Sequence, residues 1–182
     1  EAVVAVTGSI ISMPVNTVLE YEDIYSLPAG ATEHGYASDE GITLSNSTST
    51  TNIMGWQNSA LLRVVTTEAS ATFQFTLVQT NDDNLELWVG KEKNAVTGGY
   101  HFDAGHSGGR RAWLFDVIDE NTNTKIRYYV PSGEITERGE QNLTSGGLVS
   151  YTFTITAYRV DVAGEQANTV FWKGSATAPV AP

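Results

Sequence analysis

The chain of 182 residues contains no cysteine. That absence excludes disulfide scaffolds, thiolate zinc sites, iron–sulfur ligation and a cysteine nucleophile together. Basic residues are scarce as well: ten Lys and Arg face 21 Asp and Glu, a formal charge of −11 with a pI near 4.5. A surface of that sign repels phosphate, so tight binding of nucleic acid or of an anionic membrane is not expected. No apolar run approaches the roughly 18 residues that a membrane span requires, and no membrane insertion is expected. The opening EAVVAVTGS lacks a basic start, a long apolar middle and a clear cleavage site. It does not read as a signal peptide, and residue 1, which is not Met, reads as a processed or an artificial terminus.

What is present is ordinary for a folded domain. Hydrophobic residues make up 41% and charged residues 17%, too apolar for a disordered chain. A mass of 19.6 kDa fits one domain, taken as 1–182, that needs no covalent staples.

Most of the chain reads as strands. VSYTFTITAYR (149–159) alternates, with Val149, Tyr151, Phe153, Ile155 and Ala157 opposed to Ser150, Thr152, Thr154 and Thr156. Period 2 with β-branched and aromatic residues marks a half-buried antiparallel strand. Residues 71–78 repeat it through Ala71, Phe73, Phe75 and Leu77. AWLFDVI (112–118) is apolar on both faces and belongs near a sheet centre. A turn-rich linker from Glu120 to Thr124 joins it to KIRYYV (125–130) as a hairpin. Pro131 and Gly133 then suggest a bulge or an edge. NTVFWK (168–173) reads as the last strand, after a turn at Gly164. One short helix is predicted from Asp82, with Asp83 and Glu86 as a capping box, Leu85, Trp88 and Val89 at helical spacing, and Gly90 as a left-handed stop. Residues 45–52 (SNSTSTTN) and 97–111 (TGGYHFDAGHSGGRR) read as loops, and about 174–182 as a C-terminal tail. The architecture is mainly β, a sandwich or barrel with one flanking helix, a long loop and extended termini.

No reaction centre emerges. Gly105-His106-Ser107-Gly108-Gly109 fits the nucleophile-elbow pattern, but a strand follows it instead of a helix and no later His exists. His101, Asp103 and His106 are metal-ligand types on a Gly-rich loop that does not pre-organise them. Asp82-Asp83-Asn84 hints at a calcium loop, yet Leu87 stands where that loop needs Gly. Asn46-Ser47-Thr48 and Asn142-Leu143-Thr144 are sequons that Thr-rich composition produces by coincidence. No carboxylate pair is singled out for glycoside hydrolysis. Neither an enzymatic activity nor a cofactor or metal is expected.

One stretch resembles a known family. GWQNSALLRVVTTEASATFQFTLVQTNDDNLELWVG (55–90) is similar to the central motif of siphophage major tail tube proteins, above all those of actinobacterial phages. The carriers are Trp56-Gln57-Asn58, Arg63, Thr67-Glu68, Phe73 to Phe75, Thr80-Asn81 and Trp88 to Gly90. HGYASDEGI (34–42) and VPSGEITERGEQ (130–141), with a terminal Phe-Trp-Lys, resemble its flanks, so the likeness touches positions 34 to 173. It implies hexameric rings that stack into a hollow tube, an acidic conduit through which DNA passes without tight binding. It also implies a place in the virion after synthesis in the host cytoplasm. The implied partners are further copies of the chain and other tail proteins such as tape measure, tail tip and terminator.

In such a tube Asp116 and Asp119, beside the central hairpin, are the lumen candidates in preference to Asp82, Asp83 and Glu86. Arg110-Arg111, the only paired basic residues, suit an acidic neighbouring copy, and Trp56 and Gln57 are further contact candidates. Two other readings stand beside this one. A tube subunit of a related injection or secretion device would share the fold. A secreted carbohydrate-binding β-sandwich would use Trp56, Trp88, Trp113 or Trp172 as sugar platforms, although three of these four fall in patterned core segments.

Overall fold

The computed structural model describes residues 7–19, 24–54, 56, 61–141 and 143–177, with backbone alone at position 67. In chain order the elements are β1 (Thr7–Pro14), β2 (Thr32–Glu33), β3 (Ala37–Met54), β4 (Leu61–Leu77), α1 (Asp82–Val89), β5 (Arg110–Asp119), β6 (Thr124–Arg138), β7 (Tyr151–Ala157), β8 (Val160–Val162), β9 (Glu165–Ala167) and β10 (Val170–Ser175). One antiparallel sheet runs β2-β1-β5-β6-β7-β4-β3, and β10 joins it along β6. The strands β8 and β9 form a small hairpin of their own. Both β7 and β10 lie on the same side of β6, the first opposite Gly133 to Arg138 and the second opposite Thr124 to Tyr129.

The strands form where one face can leave water. Tyr151, Phe153, Ile155 and Ala157 of β7 are buried while the Thr residues between them are not. Ala71, Phe73, Phe75 and Leu77 of β4 do the same. The sheet centre, β5, is buried on both faces from Ala112 to Asp116. Pro131 does not end β6. The strand continues through it, and the register slips opposite Arg111 and Trp113, which is the bulge that Pro131 and Gly133 suggested. Gly133 is there for space: a Cβ would lie 2.8 Å from both Ile155 and Trp113.

This sheet is strongly curled. The Phe73 ring of β4 stacks on Phe115 of β5 at 4.8 Å, although β6 and β7 lie between those strands in the sheet. Phe75, Trp113 and Phe153 complete an aromatic interior, and each large apolar side chain buried there is worth roughly 2–3 kcal/mol. On the outer face Ile11, Met13, Leu114 and Tyr129 form a second cluster under Leu19 and Trp172. No strand pairing joins β1 to β3 among the described residues, so the curl is sandwich-like and not a closed barrel.

The helix is where the sequence places it, with a different cap. Asn81 is the N-cap, and its side chain accepts from the Asn84 backbone N–H at 2.8 Å. The predicted box does not form, because Glu86 accepts instead from the Lys93 backbone N–H at 3.2 Å. Gly90 ends the helix at φ 79° as expected. Leu87 enters the aromatic interior, and Leu85 and Trp88 pack against it. Among the described residues no helix is long and apolar enough to cross a membrane.

Three boundaries differ from expectation. Residues 45–52 are not a loop; they lie inside β3. Arg110 and Arg111 open β5, and Gly174 and Ser175 close β10, so neither pair belongs to a loop or tail. The long alternating strand stops at Ala157.

Candidate functional site

Beyond Ala71, which pairs with Ala157, β4 has no neighbouring strand but β3 among the described residues, and the two project as an arm. Every residue of β3 from Thr43 to Met54 is exposed, on both faces. Opposite it, Val65 is the one partly covered side chain described between Leu61 and Ser70. At the tip Ile53, Met54, Leu61, Leu62 and Val64 are exposed, and Trp56 in the turn is 100% exposed. The sequence from Gly41 to Leu62 contains no ionisable side chain, in a chain otherwise strongly acidic. A two-stranded ribbon with an apolar tip does not stabilise itself in water. Along its outer side β3 pairs with no strand among the described residues, leaving an open edge of the kind that natural proteins cover or pair. Such a surface marks a binding site for another chain.

The acids expected on a lumen wall are not on a surface. Asp116 is 3% exposed. Arg127, directly opposite on β6, grips it with two bonds, Nε to Oδ1 at 2.7 Å and Nη2 to Oδ2 at 2.8 Å. Lys125 Nζ adds a contact at 2.9 Å, and Arg127 Nη1 also donates to the Ser26 carbonyl at 3.0 Å. Asp119 is 1% exposed and accepts from the backbone N–H groups of Asn121 and Thr122, which ties the β5–β6 turn. The physical reason is the one that makes β5 central: neither of its faces meets water, so its carboxylates are buried with their partners.

Arg110 is exposed and lies over the Tyr158 ring at 4.1 Å. Tyr158 donates to Glu134 at 3.0 Å, a bond that raises the phenol pKa. Hydrogen bonds from Ser107 and Tyr158 hold the Glu134 carboxyl below its usual range. Arg111 is half-buried and lines a cleft of about 350 Å³. Trp56 stands free in the arm's turn, whereas Gln57 lies outside the described residues.

The Gly-rich segment is a loop up to Gly109, tied down by its own polar groups. His101 bonds Thr97 at 2.9 Å, and Asp103 pairs with Lys91 at 3.2 Å. Tyr100 donates to Asp82 at 2.7 Å, which pushes the phenol up to about 12. Among the described residues no three His, Asp or Glu side chains converge as metal ligands. Ser107 accepts from the Gly109 backbone N–H at 3.3 Å and leads directly into a strand.

A phage tail tube protein family model matches residues 1–180. The chain belongs to that family. It is a phage tail tube protein by family and therefore a structural component of a tail. Among solved structures this tail tube protein is similar to a chain of the anti-feeding prophage tube-terminating cap, at 8% identity over 96% of this chain and 93% of that one, TM-score 0.47. It is also similar to a chain of the anti-feeding prophage baseplate, at 7% identity over 93% and 94%, TM-score 0.41. No curated protein matches it.

Two features of the tail tube protein were not singled out from sequence. The arm is one, and its only sequence signal was a Thr-rich, β-branched run with no charge. The other is His34, 1% exposed, which joins three elements. Asn84 of α1 donates from Nδ2 to the carbonyls of His34 and Gln79, so its Oδ1 accepts from His34 Nδ1 at 2.8 Å. The other ring nitrogen then accepts from the Ser12 hydroxyl of β1 at 2.8 Å. Burial, and to a smaller degree the Arg111 charge, lower the His34 pKa, against the bond to Asn84 and the Asp83 charge.

Proposed function

We propose that this chain is the major subunit of a siphophage tail tube. Six copies close into a ring, rings stack, and the genome passes through the hollow centre on its way to the host. The family supports the tail assignment. The observation that carries self-assembly is the arm, a ribbon with a charge-free apolar tip and an open edge, which another copy can cover. Pairing and covering edges between copies removes the liability that an isolated curled sheet retains. The net charge of −11 suits a conduit, because an acidic wall repels phosphate. That wall draws on exposed acids, since Asp116 and Asp119 are consumed inside the subunit. The subunit is made in the host cytoplasm and meets tape measure, tail tip and terminator proteins as the tail grows.

Negative-stain electron microscopy of the concentrated protein, alone and seeded with tail tips, tests this reading. Hollow tubes of uniform width with sixfold end views are expected. Particles that stay monomeric under both conditions overturn it. Tight duplex-DNA binding at moderate salt would overturn the conduit argument alone.

A further inference from the structure

Four of the ten cations of this acidic chain hold a carboxylate. Lys91 holds Asp103, Lys93 holds Asp82, and Lys125 and Arg127 share Asp116. Of the other six, Arg63, Arg110, Arg159 and Lys173 are exposed and Arg138 donates to the Ser107 carbonyl, which leaves Arg111. It is half-buried, and among the described residues it makes no ion pair or hydrogen bond. It lines the cleft of about 350 Å³ between the start of β5 and the β1–β2 edge, together with Arg110, Ser12, Thr32 and Gly108. The Gly108 backbone sits at φ +83° against Gly90, where a Cβ would be 3.0 Å from the neighbouring Cα, so the loop wall there is bare backbone. The half-buried Arg111 and the Thr32 hydroxyl, with Arg110 beside them and no acid among the lining residues, make a concave cationic surface on a molecule of net charge −11. A guanidinium partly withdrawn from water is stabilised by an acceptor that matches its fork, which a carboxylate does bidentately.

We propose that this cleft receives an Asp or Glu side chain from a second copy of the chain. Charge decides the occupant. Copies of the same acidic protein repel each other except where one presents cations, and the stretch of the arm from Gly41 to Leu62 supplies neither sign. With 21 acids against ten bases, a second copy has carboxylates to spare for a basic cleft. Such a pair fixes register between copies as well as holding them. The inference rests on the tail tube reading, in which copies meet.

The test uses R111K, which places an amine in the cleft. Equal amounts of ¹⁴N- and ¹⁵N-labelled protein are mixed under assembly conditions, treated with a carbodiimide, and digested for mass spectrometry. The expected product is an amide between position 111 of one copy and an Asp or Glu of the other, recognised by its mixed label. Links at position 111 confined to one copy, or none there while other lysines link between copies, overturn the proposal. R111E provides the second arm: with an unchanged melting temperature it should lower tube yield at least tenfold. Wild-type tubes that R111E builds equally well defeat this inference and leave the tube reading intact. A wild-type chain that never assembles defeats the tube reading instead.

Discussion

Asp116 receives Arg127 and Lys125 on two oxygens at 2.7–2.9 Å, deep in the outer face of the sheet. Removing the carboxylate leaves two cations buried without their acid, and breaking such a pair costs about 3–5 kcal/mol. Asp116→Ala should therefore lose about that much stability in urea denaturation, far more than an exposed acid would. His34 sets a different limit. Its folded pKa lies below the ordinary 6.5, so the unfolded chain takes up a proton that the folded one resists. The stability that the neutral imidazole contributes is complete above pH 6.5 and is lost as pH falls below it, by at most about 1.4 kcal/mol per unit. His34→Gln should flatten the stability profile between pH 6.5 and 5, measured by denaturant titration at each pH. The depressed carboxylates, Asp82, Asp103 and Glu134, titrate lower and do not enter that window. At this scale the sequence was half legible. Asp116 looked like a wall residue because its strand was recognised but its register was not; AWLFDVI paired antiparallel with KIRYYV sets Asp116 opposite Arg127.

An element reveals itself in sequence when one of its faces is buried and the other is not. The strands β7 and the inner half of β4 have that asymmetry, and their alternation is plain in the sequence. Helix α1 has it through Leu87 and Val89, though the run Asn81-Asp82-Asp83 offers several caps and the earliest one is used. In the arm neither face is buried in the single chain, so the periodicity that identifies strands is absent and 45–52 looked like a loop. The same exposure separates folding from assembly. A Met54→Asp, Leu62→Asp double variant changes two side chains that are 52% and 68% exposed, and should shift unfolding free energy by no more than about 0.5 kcal/mol per site. It should nevertheless abolish tubes, because each new carboxylate would be carried into a contact that excludes water. Matching melting curves with absent tubes in micrographs would confirm both halves. Loss of the fold itself would show that the arm is part of the protomer's core after all.

At the scale of the whole molecule, copies each bearing −11 must approach one another. Salt shortens the reach of that repulsion, from about 30 Å at 0.01 M to about 8 Å at 0.15 M. Light scattering should therefore show assembly accelerating several-fold over that range, with the partly buried Arg111 contact screened much less than the exposed charges around it. Slower assembly in salt would mean that surface ion pairs, not apolar contacts, dominate. The fold class and the single helix were legible at this scale because they rest on composition and patterning, whereas the curl of the sheet was not, since it depends on which distant aromatics meet. Between Glu40 and Arg63 no side chain gains or loses a proton at any ordinary pH. A particle released from its host is carried through media of unregulated acidity and salinity, and the tip of this projecting arm contains nothing that those media can titrate.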